Sequence, residues 1–397
     1  MRLSHCAMLI LLLLASCSEV ERPLPATLFE YLEAPETGVT FQNEINERVG
    51  RNVGTYDYMY NGGGVAIVDL NNDGLPDLVF CGNDVPSEIY QNNGDFQFEN
   101  KTENSGVHHG GWTTGVTIVD INQDGLQDIY FSRSGPDFKI ETTTNLLYIN
   151  QGDFTFTEEA KNYGINDRGL SSQSVFFDKD ADGDLDLLVL NHSVRNWANR
   201  PSEWLQHERT LSELSRERYL NKWYERTSPT SFEEMAPSSF SRESVPTPGF
   251  SLSASIADFD NNQKPGIFIT NDFFIQDQLY ASGKNGWRNK IKEKFHHTSF
   301  YSMGSDAADF NNDGLVDLMV ADMSPSDHIR SKVLMPAMDT AQFRYLERMH
   351  FMGQFMFNAL YMNAGDGAMS DIAQLAGVAQ TDWSWAPLFS DLDNDGW

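Results

Sequence analysis

One short acidic pattern recurs along this chain of 397 residues, and its residue types are those that bind a hard cation. The pattern is D-x-[DN]-x-D-G-x-x-D, with an apolar run on each side of it. We call the copies loops 1 to 6 in chain order and number the nine positions within each loop. Loops 1, 2, 3 and 5 carry the full pattern and start at Asp69, Asp120, Asp178 and Asp309.

Two further copies are incomplete. Loop 4, residues 258–266, has Gln263 in place of the glycine at position 6 and Gly266 in place of the aspartate at position 9. Loop 6 starts at Asp391 and reaches its seventh position at Trp397. Loop 4 is therefore an internal control, and we expect it to bind metal weakly or not at all.

Calcium binding is the chemistry that the full pattern favours. A calcium ion takes about six to eight oxygen ligands in a flexible geometry, and short acidic side chains two residues apart can converge on one point. Glycine at position 6 allows a sharp turn. The opening is shared with the EF-hand loop, which has a glutamate at position 12 and flanking helices. Here aspartate stands at position 9 and the flanks are β-branched and aromatic, which favours a loop between two strands.

The alternative is an Asp/Asn/Gly-rich turn that caps its own backbone and binds nothing. Four full copies, all with glycine at position 6 and aspartate at position 9, favour calcium over that alternative. The expected side-chain ligands, at positions 1, 3, 5 and 9, are Asp69, Asn71, Asp73 and Asp77; Asp120, Asn122, Asp124 and Asp128; Asp178, Asp180, Asp182 and Asp186; Asp309, Asn311, Asp313 and Asp317; and, in loop 6, Asp391, Asp393 and Asp395.

The elements that position these loops repeat with them. Each full loop lies between two short apolar runs, and hairpins such as residues 88–98, 147–156 and 360–367 follow, so one repeat has four short strands. Successive loops start 51 or 58 residues apart where nothing intervenes. This period favours the blade of an all-β, β-propeller fold. The calcium-binding parallel β-helix, the rival fold, has a far shorter repeat.

Two longer intervals predict insertions within the propeller, which we place at residues 51–397. Residues 195–225 and 324–358 are rich in aromatic residues and methionine, with weak helical spacing. They could form a partner surface, but packing on the propeller face or over its central channel is the favoured interpretation. Residues 17–50 are expected to be a tether leading to a first strand near residues 39–41. The ring is expected to be incomplete, with its last blade truncated.

The N-terminus has the features of a targeting segment. Arg2 and His5 precede an apolar run, residues 7–15, that is too short to span a bilayer as a mature helix. The run ends in Leu-Ala-Ser-Cys17, which resembles a bacterial lipobox. That resemblance implies a signal peptide at residues 1–16, lipidation of Cys17, and a lipoprotein exported to the outer membrane or cell surface. An ordinary secretory signal is the alternative.

Composition limits the remaining possibilities. The chain has 57 acidic and 28 basic residues and a formal net charge of -29, which excludes ordinary nucleic-acid binding because that needs a basic face. Aromatic residues make up 12% of the chain, which is typical of a well-filled β protein. After loss of Cys6 with the signal and lipidation of Cys17, Cys81 alone remains, so we expect no intramolecular disulfide and a buried Cys81.

With loops and hairpins placed, residues 60–397 resemble the FG-GAP/VCBS repeat proteins, whose repeats build the calcium-decorated propeller of integrin α-subunits. The stretches 301–309, 372–378 and 381–387 look like large exported Bacteroidota proteins related to cartilage acidic protein. Those proteins typically continue into an ASPIC/UnbV domain, so the resemblance implies an N-terminal fragment of a longer protein. It also implies that position 7 contributes its backbone carbonyl to the metal. These residues are Leu75, Leu126, Asp184 and Leu315.

No catalytic motif stands out. The sequence contains no H-E-x-x-H, G-x-S-x-G, P-loop or G-x-G-x-x-G pattern. Three hypotheses follow. The first is a calcium-stabilised, non-catalytic surface lipoprotein that binds protein or glycan. The second is a carbohydrate-active hydrolase or lyase, which requires a cluster of carboxylate, histidine or tyrosine side chains outside the loops. The third is a structural module that serves a missing C-terminal domain and binds calcium alone.

Overall fold

Five antiparallel sheets of four strands each form the fold, and within each sheet the strands pair in chain order. The computed structural model describes residues 29–107, 110–194, 201–333, 340–365 and 367–395. Sheet 1 contains β1 (Val65–Val68), β2 (Asp77–Phe80), β3 (Glu88–Asn92) and β4 (Phe98–Asn100); sheet 2 contains β5 (Trp112–Val119), β6 (Asp128–Ser134), β7 (Leu146–Asn150) and β8 (Phe156–Glu158); sheet 3 contains β9 (Ser171–Phe177), β10 (Asp186–Asn191), β11 (Lys222–Ser228) and β12 (Ser231–Glu234).

The last two sheets follow the same plan. Sheet 4 contains β13 (Ser251–Ala257), β14 (Gly266–Asn271), β15 (Gln278–Gly283) and β16 (Gly286–Asn289); sheet 5 contains β18 (Gly304–Ala308), β19 (Asp317–Ala321), β22 (Ala359–Asn363) and β23 (Met369–Asp371). Two small pairs complete the strands: β17 (His297–Ser299) with β21 (Gly353–Phe355), and β20 (Met323–Ser324) with β24 (Asp382–Trp383).

Loops 1 to 5 each join the first strand of a sheet to the second, as the sequence predicts. Position 9 is the first residue of the second strand in every one of these sheets. In sheet 1, for example, Val68 pairs with Asp77 across the mouth of loop 1. The nine-residue pattern is therefore the hairpin turn between the first two strands of a blade.

The first strands of successive sheets lie side by side, β1 against β5, β5 against β9, β9 against β13 and β13 against β18. Hydrogen bonds join them: the Thr114 hydroxyl donates to the Ser171 carbonyl at 2.7 Å, and the Ser172 hydroxyl to the Ser251 carbonyl at 2.7 Å. Apolar side chains fill the space between each pair of neighbouring sheets. This radial packing of four-stranded meanders is a β-propeller, and five complete blades are described.

Short connectors follow the fourth strands of sheets 1, 2, 4 and 5. Each is one helical turn: Thr102–Ser105, Ala160–Tyr163, Ile291–Lys294 and Ala373–Ala376. A 3-10 turn, Pro237–Ser239, follows sheet 3. The predicted first strand at residues 39–41 is not a strand. Instead, helix Ala34–Thr37 and Gly38 repeat this connector, and a Cβ on Gly38 would lie 2.4 Å from the Phe98 carbonyl oxygen of β4.

Both insertions lie between the second and third strands of their sheets. The first contains helices Pro201–Glu208 and Glu213–Tyr219, and the second contains helices His328–Val333 and Thr340–Arg348. Helices Pro201–Glu208 and Thr340–Arg348 contact each other. Trp223 and Tyr224, expected in the first insertion, are instead buried in β11. Trp223 packs toward sheet 4 and Tyr224 toward sheet 2, so this part of β11 lacks the polar alternation that marks a half-exposed strand.

The second insertion packs onto the propeller. Leu346, in helix Thr340–Arg348, is buried in a cluster with Phe250, Phe274 and Phe300 from sheets 4 and 5 and the segments that adjoin them. This contact agrees with the favoured expectation that insertions lie on the propeller face. Among the described residues, no helix has the length and apolar character needed to cross a bilayer.

Candidate functional site

The aspartate at position 1 organises each loop by accepting hydrogen bonds from the loop's own backbone. In loop 2, the Asp120 carboxylate accepts from the amide of Asp124 at 3.0 Å and from that of Gly125 at 2.9 Å. Asp124 in turn accepts from the amide of Leu126 at 2.8 Å. Loops 1, 3 and 5 repeat these three hydrogen bonds. Gly125 has φ of 88°, the left-handed conformation that glycine at position 6 allows.

These bonds point the acidic side chains of one loop toward each other. In loop 3, carboxylate oxygens of Asp178, Asp180 and Asp182 all lie within 4.8 Å of one another. The three carboxylates of loop 6, Asp391, Asp393 and Asp395, meet the same condition. Calcium lies about 2.3–2.6 Å from its oxygen ligands, so two ligands of one ion are at most about 5 Å apart. The donor set therefore fits calcium in type and in spacing.

Loops 1, 2 and 5 have an asparagine at position 3 that shares in the same network. The oxygens of Asn71, Asn122 and Asn311 accept from the amide at position 5 at 3.2, 3.0 and 3.0 Å. The position 5 carboxylates Asp73, Asp124 and Asp313 are exposed to solvent. At position 7, Leu75, Leu126, Asp184 and Leu315 are half-buried. Positions 1, 3 and 5 are thus brought together as the sequence predicts.

Position 9 differs because its aspartate is buried beneath the loop. Asp128 accepts from the Ile121 amide of the loop at 3.0 Å and from the Asn150 amide of β7 at 2.7 Å. Asp77 and Asp186 repeat both bonds, and Asp317 accepts from Asn363 at 2.8 Å. This aspartate ties the loop to the third strand of its blade, a structural role that the sequence analysis missed.

Burial of position 9 leaves a negative charge that a cation would stabilise. The pKa of Asp128 is raised to about 6, mainly by burial and also by the charges of Asp124 and Asp120, while backbone hydrogen bonds from Asn150 and Ile121 oppose the rise. Burial likewise raises the pKa of Asp77, Asp186 and Asp317. Among the described residues, Oδ2 of Asp317 is buried and accepts no hydrogen bond of good geometry. The nearby Phe310 amide nevertheless lowers the pKa of the Asp317 carboxyl group. An orphaned carboxylate oxygen below convergent carboxylates suits a metal ligand.

Loop 3 has the most carboxylates and an internal cation beside them. The ammonium group of Lys179, at position 2, lies 2.9 Å from Asp180, 3.3 Å from Asp186 and 3.2 Å from Glu225. Burial opposes the charged form of Lys179, but the hydrogen bond to Asp180 and the charge of Asp186 raise its pKa. Lys179 thus offsets part of the negative charge of this loop.

In loop 4, the degraded copy, the aspartate at position 3 is paired with two lysines. Asp260 accepts from Lys290 at 2.8 Å and from the buried Lys294 at 2.7 Å. Although burial opposes it, these hydrogen bonds hold the pKa of Asp260 below its usual value. Asp258 still accepts from the amides of Asn262 and Gln263, so the turn persists without the full pattern. Lysine ammonium groups occupy the neighbourhood of position 3 in this loop.

Side chains at the end of the third strand form a second feature that the sequence analysis missed. The Asn150 amide group donates to the Gln127 carbonyl of its own loop at 3.0 Å and to the Leu70 carbonyl of loop 1 at 2.8 Å. Asn363 and Arg226 make corresponding bonds to loops 4 and 2. Each of these residues joins neighbouring blades. The recurring Tyr-x-Asn of residues 90–92, 148–150 and 361–363 was the available signal.

Of the two cysteines with a predicted role in the mature protein, the structure describes Cys81. Cys17 and the signal segment, residues 1–16, lie outside the described residues. Cys81 is buried, as expected, and burial raises the pKa of its thiol.

A buried polar cluster lies at the other end of the strands, where second strands finish and first strands begin. Ser134 at the end of β6 lies 2.8 Å from Nε2 of His192, and 3.0 Å from the Tyr56 hydroxyl. Nδ1 of His192 lies 3.1 Å from the carbonyl oxygen of Ser193, so this nitrogen carries the proton and Nε2 accepts from Ser134. Burial lowers the pKa of His192 to about 4, so the ring is neutral at neutral pH.

This cluster adjoins a cavity of about 170 Å³. Its walls come from blades 2, 3 and 4, from the segments that precede blades 1 and 5, and from the segment that precedes loop 6: Tyr56, Tyr58, Asn61, Gly62, Thr114, Ser172, His192, Leu252, Met303, Trp385 and Ala386. Thr114, Ser172 and Leu252 lie near the starts of β5, β9 and β13. The cavity therefore lies beside the first strands of the blades, at the end opposite loops 1 to 5, and we call it the channel mouth.

One protein-family model matches the part of the chain that contains loops 1 and 2. Residues 59–131 match the family model of the FG-GAP-like repeat. The matched FG-GAP-like segment contains loops 1 and 2 with the strands that hold them. It supports the repeat family named by the sequence resemblance. No curated protein matches the chain.

Solved structures similar to the chain include an exo-β-1,3-galactanase from Phanerochaete chrysosporium, at 10% identity and a TM-score of 0.33, covering 57% of this chain and 49% of that one. A fructofuranosidase from Schwanniomyces occidentalis has 11% identity and a TM-score of 0.33, covering 65% and 52%. A β-1,3-galactosidase has 9% identity and a TM-score of 0.35, covering 83% and 95%. The chain spans about half the length of the first two. Similarity this low carries no argument about activity.

Proposed function

We propose that this protein is a calcium-stabilised, non-catalytic binding scaffold, exported as a surface lipoprotein, that recognises protein or glycan. The observation that carries the calcium proposal is the convergence of acidic side chains in repeated loops, above a buried aspartate at position 9. In each full loop, positions 1, 3 and 5 would hold the ion from the solvent side. Position 9, and the position 7 carbonyl implied by the family resemblance, would complete the oxygen set.

The role proposed for calcium is structural. A bound cation would compensate the charge of carboxylates that the fold holds close together. At a calcium concentration about tenfold above a dissociation constant of about 0.1 mM, each site would stabilise the fold by about 1.4 kcal/mol. An exported protein meets calcium at such concentrations. The lipid at Cys17 and a longer chain with a further C-terminal domain belong to this proposal through the sequence resemblance alone.

At the channel mouth, the lining favours binding over glycoside hydrolysis. Glycoside hydrolases of the common type need two carboxyl groups on either side of the scissile bond. Among the described residues that line the cavity, none is an aspartate or a glutamate. The Tyr56, Ser134 and His192 cluster satisfies the requirement for histidine and tyrosine outside the loops, but its hydroxyl groups are engaged with each other.

The test is a thermal melt of the full chain in calcium and in excess chelator, at constant magnesium. We expect calcium to raise Tm. Asp69→Ala and Asp178→Ala should reduce the rise, whereas Asp258→Ala in loop 4 should leave it nearly unchanged because Asp260 is already paired with lysines. An unchanged melt of a folded sample would refute the metal sites and leave the aspartates as turn formers.

A further inference from the structure

The channel mouth carries no charged side chain among its described lining residues. His192, the one titratable base in the lining, is buried and neutral at neutral pH because burial lowers its pKa to about 4. Burial also raises the pKa of Tyr56 and Tyr58, so both phenols stay protonated. No lining side chain carries a charge that would offset the desolvation of a charged ligand. Its occupant should be neutral.

The lining combines aromatic surface with hydrogen-bonding groups. Tyr56, Tyr58 and the half-buried Trp385 contribute rings. The Thr114 and Ser172 hydroxyls donate to backbone carbonyls, so their oxygens remain able to accept. Asn61 adds a half-buried amide that can both donate and accept. Such a lining matches a ring with apolar faces and hydroxyl groups at its edge.

The volume limits the size of that ring. Pockets for drug-sized ligands measure roughly 300 Å³ or more. This cavity is smaller, at about 170 Å³. A single sugar ring suits it better than an oligosaccharide would. Because Trp385 and the exposed Ala386 lie at its rim, the remainder of a glycan chain could extend into solvent.

We propose that the channel mouth binds one neutral sugar residue, with Trp385 as the stacking wall and Asn61, Thr114 and Ser172 as hydroxyl partners. This inference names the ligand class of the proposed binding function and rests on it. It also assigns the two functions to opposite ends of the strands, since loops 1 to 5 lie at the other end. Calcium binding and sugar binding can therefore fail separately.

The experiment titrates the full chain in calcium with neutral monosaccharides (glucose, galactose, mannose, fucose, xylose and N-acetylglucosamine). Saturation-transfer NMR identifies binders and calorimetry measures Kd. Glucuronic acid and glucosamine supply the charged counterparts, and indole supplies an apolar ring. We expect saturable binding of at least one neutral sugar and none of its charged counterparts. Equal binding of a charged sugar, or of indole alone, would overturn the assignment of ligand class.

Matched variants locate the binding. Trp385→Ala should weaken it about tenfold or more, because tryptophan is among the side chains that contribute most to binding. Trp383→Ala is the control, since Trp383 is more exposed and is not a lining residue. Leu252→Trp should fill the cavity and abolish binding. Binding that survives both cavity variants would place the ligand elsewhere. Absence of any sugar binding by a chain whose melt responds to calcium would refute this inference and leave the metal sites standing.

Discussion

At the level of single residues, the aspartate at position 9 of the loop has two roles, as an acceptor of backbone hydrogen bonds and as a proposed metal ligand. The pattern of spacing predicts a carboxylate there, and Asp77, Asp128, Asp186 and Asp317 are all buried. The spacing does not predict that both oxygens of Asp128 accept backbone amides, since one partner, Asn150, is far along the chain. In these four blades the aspartate at position 9 thus has a structural role even before any metal is considered.

The first prediction separates these two roles in loop 2. The buried amides of Ile121 and Asn150 both lose their acceptor in Asp128→Ala. The substitution should lower the free energy of unfolding by about 2 to 4 kcal/mol, because each unsatisfied amide costs about 1–3 kcal/mol and relief of the buried charge offsets part of that cost. The loss should be present in chelator and larger in calcium, where a proposed ligand is lost as well. Urea unfolding in both conditions measures it.

Asp124→Ala is the control for this experiment. The side chain of Asp124 is exposed. Without calcium, the substitution removes an acceptor from the Leu126 amide at an exposed site, where water can replace it, and should cost about 1 kcal/mol or less. In calcium it should lose the stabilisation of one site. If both variants were equally stable in chelator, the position 9 carboxylate would have no structural role.

His192 predicts a pH dependence at the other end of the strands. Burial lowers its pKa in the folded protein to about 4, below the ordinary value of about 6.5. The unfolded chain therefore binds the proton first as pH falls. The stabilising contribution of neutral His192 is complete above about pH 6.5 and is lost between about pH 6.5 and 4, by about 3 kcal/mol in total.

Comparison with His192→Gln isolates this contribution from other titrations. The groups that face the imidazole are Tyr56, Tyr58 and Ser134, with Asp272 acting on Tyr58. The stability difference between the two chains, measured by urea unfolding, should shrink as pH falls from 7.5 to 5. A difference that stays constant with pH would show that His192 keeps an ordinary pKa.

At the level of elements, the sequence predicts the blade well. Periodicity and the loop pattern predict four strands per repeat, loops between first and second strands, and the two insertions. The one-turn connectors were missed because four residues are too few for a helical period. Trp223 and Tyr224 were misplaced because these adjacent aromatic residues pack toward different neighbouring sheets and so show no polar alternation. The cavity could not be predicted from the sequence, because its walls come from residues more than 300 positions apart.

The lysines of loop 4 provide a prediction about this blade as a unit. In Lys294→Met, the partly buried Asp260 loses one of two cations while Lys290 remains. The substitution should lower stability by about 1 to 3 kcal/mol, because removing one partner leaves a buried carboxylate less well compensated. The loss should not depend on calcium, and urea unfolding with calcium and with chelator measures it.

Lys292→Met is the matched control, since Lys292 lies on the exposed side of the same helical turn. It should cost less than about 0.5 kcal/mol. A loss in Lys294→Met that calcium restores would mean that loop 4 binds metal after all.

At the level of the whole molecule, antiparallel meanders place two kinds of site at opposite ends of the strands. Every connection from first to second strand falls at one end, and this end carries the acidic loops. Connections from second to third strand, including both insertions, fall at the other end with the neutral cavity. The large negative charge of the chain is thus partly concentrated in the loops, away from the cavity that we propose binds sugar.

Hydrogen exchange can test this division in one sample. In the full loops, the amides at positions 5, 6 and 7 donate to carboxylates at an exposed surface, as Asp124, Gly125 and Leu126 do in loop 2. Calcium should slow their exchange by rigidifying the turn. Loop 4, whose turn forms without the glycine at position 6 and without a calcium ligand at position 9, should exchange at the same rate with and without calcium. Residues 56–62 and 252 at the cavity should also be unaffected by calcium, and a bound neutral sugar should slow exchange there alone. Protection by calcium at the cavity would mean that the two ends are coupled, and the separation argued from topology would be wrong.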